Sequence, residues 1–225
     1  MRTLLVILVF LLKPFAAVAA STCYGTAENG RLKDAVQLPG RGKNFQTYSS
    51  LGKWIGRTYV HDLAFAVILD AYQSLETKTP DVKYVFGEMG WKDGGSFKPH
   101  RTHQTGLSVD FMTPARNSKG ESVPLPGSLL NKFGYSIDFD EVGSYQDLRV
   151  DFEALAEHLI ALQKSAKKFG IGMGDVILDP KFTEIMKRTK AWTTAKPEIA
   201  FFPHKPWVRH DEHFHVEFYA PCLPL

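Results

Sequence analysis

The chain has 225 residues, 44% hydrophobic and 23% charged, a balance that excludes a fibrous, low-complexity or disordered protein. Its length allows one large domain or two small ones, and no linker argues for two. The formal net charge of +3 comes without a lysine or arginine run, so nucleic acid is not an implied partner.

The N-terminus reads as a signal peptide over residues 1–20. Arg2 supplies a short positive region, Leu4 to Leu12 an apolar run, and Ala16, Ala17, Ala19 and Ala20 the small residues of a cleavage site. The run is too short to span a membrane as a helix, so no membrane span is expected. Lys13-Pro14 argues against a buried N-terminal helix, and Ala20-Ser21-Thr22 makes a poor lipobox before Cys23. Export predicts a periplasmic protein, with secretion as the alternative, whose residues 21–225 form one domain. Removing Arg2 and Lys13 takes the charge from +3 to about +1.

Residues 21–50, rich in Gly, Ser, Thr and Asn, read as an irregular arm wrapped on the domain. Residues 61–76 carry apolar positions at helical spacing and stop before Thr79-Pro80. Residues 83–89 read as a strand, and 91–99 as a glycine-rich loop. Leu107, Val109 and Phe111 alternate with Ser108 and Asp110, the pattern of a strand. Residues 112–150, broken by prolines and glycines, read as a long loop or insertion. The helix signal over 151–169 is the strongest, with Asp151 near the N-cap and Gly170 beyond its lysine-rich end. Residues 175–179 read as a strand, 180–190 as a short helix opened by Pro180, and 213–218 as a last strand. The two cysteines, Cys23 and Cys222, stand at opposite ends of the mature chain. In an oxidising compartment a disulfide between them is favoured over two free thiols.

Five of the eight histidines fall in two short segments. His100 and His103 precede Gln104-Thr105-Gly106 and Asp110; His210, His213 and His215 lie about a hundred residues later. Strand alternation sends His213, His215 and Glu217 to one face. Gly106 permits a tight turn between His103 and Asp110. If the two strands are neighbours, His103, Asp110 and His215 converge, and two imidazoles with a carboxylate are the ligands a catalytic Zn²⁺ takes. Each signal alone is common: a His-x-His is often a surface pair, and His100 and His103 could be polar loop residues. Glu217 is a candidate to orient a histidine. His61, His158 and His204 read as packing or surface residues.

Together, H-x-x-H-Q-T-G-x-x-V-D and H-x-x-H-x-H-V resemble the penicillin-insensitive murein endopeptidases. These belong to a wider group of zinc peptidases with lysostaphin-like enzymes, D-Ala-D-Ala carboxypeptidases and the hedgehog domain. The resemblance includes Cys23-Tyr-Gly-Thr, Asn29-Gly30 and Val36-Gln-Leu-Pro39. It implies His103, Asp110 and His215 as zinc ligands and His213 as the catalytic histidine. His210 would be a further active-site histidine, able to donate to the oxyanion. His100 matches a histidine near the metal, sometimes assigned to a second metal; the other second-metal residues have no clear match, so one zinc is expected.

The implied function is hydrolysis of D-alanyl–meso-diaminopimelyl cross-links in peptidoglycan, with stem peptides as partners. A D,D- or L,D-carboxypeptidase and a non-catalytic zinc-containing wall-binding module are the alternatives. The expected fold class is α+β: a small antiparallel sheet carrying the zinc site with helices packed on it, hedgehog- or D-Ala-D-Ala-peptidase-like. Oligomeric state is not legible.

Overall fold

The computed structural model describes residues 20–204, 206 and 208–225, so the leader expected over 1–20 lies, apart from Ala20, outside the described residues. In chain order the elements are β1 (Thr22–Thr26), β2 (Asn29–Lys33), β3 (Val36–Gln37), β4 (Phe45–Thr47), α1 (Ser50–Trp54), β5 (Tyr59–Val60), α2 (Asp62–Lys78), β6 (Tyr84–Phe86), β7 (Ser108–Met112), β8 (Ala115–Arg116) and β9 (Ser122–Val123). After a 3₁₀ turn at Lys132–Gly134 come β10 (Ser144–Tyr145), β11 (Leu148–Val150), α3 (Phe152–Lys168), β12 (Gly172–Met173), α4 (Pro180–Met186), α5 (Lys190–Ala195) and β13 (His213–Tyr219).

The main sheet has the order β12-β13-β7-β6-β4. It is α+β in character but not wholly antiparallel: β4 and β6 run parallel. A parallel pair needs a crossover, and here the intervening chain includes α2. Ala64, Val67, Ile68, Ala71, Tyr72 and Leu75 form the buried stripe of α2. In α3 the Asp151 carboxylate accepts from the Ala154 amide at 3.0 Å, capping the helix. Gly170 then turns the chain at φ +70°, a conformation favouring glycine.

The arm expected over 21–50 is instead largely strand. Thr26 and Asn29 close the antiparallel β1–β2 hairpin around Ala27-Glu28. Cys23 and Cys222 are bonded across a sequence separation of 199. Chain entropy alone would make that closure worth about 5 kcal/mol. The Leu223 amide also bonds the Cys23 carbonyl at 2.9 Å. The long loop expected over 112–150 contains a second sheet, β10-β11-β8-β9. Its strands are two or three residues long, too short for a sequence period to register. Residues 175–179 make isolated bridges, Val176 with Phe201 and Ile177 with His215, rather than a ladder. Among the described residues no helix is long and apolar enough to cross a membrane.

One face of β7 and β13 packs on the helices. Phe111 and Phe214 stack at 5.3 Å and meet the His158 ring of α3 at 4.8 and 5.4 Å. Tyr72 of α2 and Tyr84 close the same cage. His158 is a packing residue, fully buried, and neither ring nitrogen has a hydrogen-bond partner among the described residues. Burial pushes its pKa down to about 3. The unfolded ring takes a proton near pH 6.5 and the folded ring does not. Its contribution therefore holds above about pH 6.5 and is progressively lost as pH falls toward 3, by up to ~5 kcal/mol. His158→Leu should narrow the acid loss. In urea titrations, stability of the variant minus that of the wild type should rise between pH 6.5 and 3; a pH-independent difference would contradict the assignment.

Candidate active site

The opposite face of β7 and β13 carries the polar residues. Their antiparallel register sets His215 directly across from Asp110 and His213 across from Met112. His215 Nδ1 lies 2.9 Å from Asp110 Oδ1. His103 approaches from the loop before β7, with Nε2 3.4 Å from the same oxygen. Thus the three side chains expected to converge do so, all buried.

The loop holds His103 by several devices. Its backbone is left-handed, φ +70°, uncommon outside glycine. Gly106 also has φ +70°; a Cβ there would sit 2.7 Å from the His61 nitrogen. Gln104 donates to the Glu28 carbonyl at 2.7 Å, tying the loop to the N-terminal hairpin. His103 Nδ1 faces the Met89 carbonyl at 2.7 Å, and a carbonyl only accepts. In the neutral ring the proton is therefore on Nδ1, and the Nε2 lone pair points at a carboxylate oxygen.

That confrontation tests whether a cation fits. Two acceptors facing each other in a buried space repel, and His103 Nε2 has no hydrogen-bond partner among the described residues. A cation between them removes the conflict. A tetrahedral ion with ligands at about 2.0 Å would need neighbouring ligand atoms about 3.3 Å apart; the His103–Asp110 pair is at 3.4 Å, and the His215–Asp110 pair is hydrogen-bonded at 2.9 Å. His100 stands at the same cluster rather than a separate one. The donor atoms of His100, His103 and Asp110 lie within 4.8 Å of one another, a group that could hold a metal ion. His100 Nδ1 is 3.8 Å from Asp110 Oδ2, while its Nε2 bonds Glu88 at 2.7 Å.

Glu88 anchors this side. It accepts from Tyr48 at 2.8 Å and from Arg57 through both Nε and Nη2, the latter at 2.7 Å. The Arg57 guanidinium lies 4.1 Å from the Phe97 ring centroid and 5.0 Å from that of Trp91. Burial raises the Glu88 carboxyl, but His100 and Arg57 outweigh it and hold its pKa at about 2. Burial likewise pushes Asp110 up, and His103 and His215 more than reverse it, keeping it well below the usual carboxylate range.

His213 and His210 line a cleft of about 510 Å³ with His100 and His215. Their rings are 4.6 Å apart. Burial pushes both pKa values down to about 4, so both are neutral at pH 7. His213 Nδ1 lies 2.9 Å from Glu212 Oε1. His210 Nδ1 lies 2.8 Å from the Val208 carbonyl, which puts the neutral ring's proton there. Its Nε2 is then an acceptor in the neutral ring. Among the described residues Glu217 makes no side-chain hydrogen bond to a histidine, and Glu212 is the carboxylate that touches His213. His61 caps α2 by accepting from the Leu63 amide at 3.2 Å, and His204 is exposed.

Tyr135 was not legible as a site residue. It comes from the 112–150 segment, where no period marks it. Its hydroxyl donates to Asp110 Oδ2 at 3.2 Å and accepts from the Glu88 amide at 2.8 Å. Gly87 makes room: a Cβ there would lie 2.4 Å from that hydroxyl. Glu88 and Glu212 each lie near a histidine in space but carried no motif. A glutamate beside H-x-H was the one signal for Glu212, and it was read at Glu217 instead.

Residues 23–132 match the model of a family described as penicillin-insensitive murein endopeptidase. The match takes in His100, His103 and Asp110 and stops before His210, His213 and His215. No curated protein matches the chain.

Tyr135→Phe leaves the half-buried Glu88 amide without its acceptor. It should destabilise the protein by about 1–3 kcal/mol in denaturant titration; no change would mean that the hydroxyl is dispensable.

Proposed function

We propose that the chain is an exported zinc endopeptidase that hydrolyses peptide cross-links of murein, the D-alanyl–meso-diaminopimelyl bond in particular. The observation that carries this reading is the buried convergence of His103 Nε2 and His215 Nδ1 on Asp110 Oδ1, in a chain whose residues 23–132 match murein endopeptidases. In it residues 21–225 are the mature domain, periplasmic, with the fold of the wider zinc-peptidase group. The disulfide fits an oxidising compartment.

His103, Asp110 and His215 hold the zinc. Two imidazoles and a carboxylate suit this metal, and their separations are shorter than the 3.8 Å from His100 to Asp110. His100 is drawn toward Glu88 by the 2.7 Å bond and borders the site. When bound, zinc makes hydroxide available near neutral pH and polarises the scissile carbonyl. His213, neutral and buried, accepts the proton of the attacking water and returns it to the leaving amine. His210 offers an acceptor at Nε2, placed to take a substrate N–H and orient the peptide. The cleft beside these rings takes the stem peptide and limits water. No serine nucleophile takes part, so penicillin, a serine-acylating inhibitor, should not inhibit.

Digestion of purified cross-linked murein tests the reading. The protein should release uncross-linked peptides, lose this activity to a chelator and regain it with added zinc. Undiminished cleavage after metal removal would contradict it, and release of terminal alanine alone would favour the carboxypeptidase. His215→Ala should lower bound zinc to well under one equivalent, whereas His213→Ala should keep the zinc and lose 10²-fold or more in kcat.

A further inference from the structure

Glu212 is 2% exposed, an unusual place for a carboxylate with no Lys or Arg bonded to it among the described contacts. Its backbone is pinned beneath the end of β7, where the Glu212 carbonyl accepts from the Thr113 amide at 2.9 Å. The Asp211 carbonyl accepts from the Thr113 hydroxyl, also at 2.9 Å. This holds the Glu212 side chain against the cleft. Oε1 lies 2.9 Å from His213 Nδ1, while Oε2 is buried without a hydrogen-bond partner among the described residues.

Asp211 beside it is buried too, with Arg209 Nη1 3.7 Å from its Oδ2. Its Oδ2 accepts from the Phe139 amide at 2.7 Å, and its Oδ1 is likewise buried and unpartnered. Two buried carboxylates this close do not both ionise readily. Burial raises both groups, Glu212 to about 7, and the neighbouring Glu212 side chain raises Asp211 further. A proton on Glu212 Oε2 would occupy that orphaned oxygen. Glu212 Oε1 is then left as a pure acceptor.

We infer that Glu212, backed by Asp211, is the positioning residue of His213: it accepts the Nδ1 proton, fixes the ring tautomer and leaves the Nε2 lone pair for the cleft. The inference rests on the hydrolytic reading above for its kinetic consequence, but the tautomer itself does not. A histidine held by a carboxylate at one nitrogen acts as base through the other; a wrong tautomer removes that function without disturbing the fold. Neither motif of the sequence assigns this role to position 212.

Glutamine makes the role separable from charge. In Glu212→Gln the amide nitrogen can take the place of Oε2, which makes no hydrogen bond among the described residues. The amide oxygen then faces His213 and still accepts from Nδ1. Glu212→Ala removes the acceptor altogether. The experiment measures bound zinc, kcat and KM on cross-linked murein, and ¹⁵N ring shifts of His213 in the zinc-loaded protein. Glu212→Gln should keep the Nδ1–H tautomer and a kcat within about fivefold of wild type. Glu212→Ala should keep one zinc, show a mixed tautomer and lose 10²-fold or more in kcat, with KM within twofold. Wild-type kcat in zinc-loaded Glu212→Ala would overturn the inference. So would a Glu212→Gln protein that is zinc-loaded but as inactive as Glu212→Ala. Should the wild type cleave no murein, the hydrolytic reading fails, and the ring shifts still decide the tautomer: an Nε2–H form in the wild type overturns this inference too.

Discussion

The site depends on the pairing of β7 with β13. Its register puts His215 opposite Asp110. A slip of one residue would turn Phe214 and Val216 toward the cleft and bury His213 and His215 among the helices. That slip is opposed by the apolar partners of the same strands: Phe111 and Phe214 stack and close on His158, Tyr72 and Tyr84. The aromatic packing on one face thus sets the position of the ligand-type side chains on the other. Folding energy and site geometry are two faces of one sheet.

Around that pair the chain spends local strain and buried polarity. His103 sits in a left-handed conformation, and its ring nitrogen faces an acid rather than a donor. Such features persist where surrounding structure fixes them. Here Gln104 ties the loop to the β1–β2 hairpin, and the hairpin is tied to the C-terminus by Cys23–Cys222. Glu88 and Glu212 act as anchors on two sides of the cluster, one holding His100 and Arg57, the other His213. In each case a carboxylate fixes which nitrogen of a histidine carries its proton, the usual means of orienting an imidazole at a working site.

How much of this could be read in the sequence follows from the range of each signal. Period-two alternation showed the faces of β7 and β13, and period 3.6 showed α2 and α3, because each runs long enough to repeat. His103, Asp110 and His215 were legible through motif spacing, though their meeting needed the β7–β13 pairing to be assumed. The parallel β4–β6 pair was not legible, since strand direction follows from topology and three residues carry no period. Tyr135 was hidden for a related reason: it reaches Asp110 from a segment of two-residue strands and turns. Glu217 misled because it shares the His215 strand face, while Glu212 precedes His213 at the mouth of the strand and contacts it by a local bond. His210 lines the cleft, and its tautomer is set by the Val208 carbonyl, which no side-chain pattern reveals.

On the proposed reading, two strand residues and one loop residue share a single ion. Crystals grown from the zinc-loaded protein, with anomalous diffraction recorded on both sides of the zinc absorption edge, test it most directly. The account predicts one strong peak about 2.0–2.2 Å from His103, Asp110 and His215, with His213 beyond bonding distance. A peak bonded instead by His100 and Glu88, or none at the Asp110–His215 pair, would contradict it.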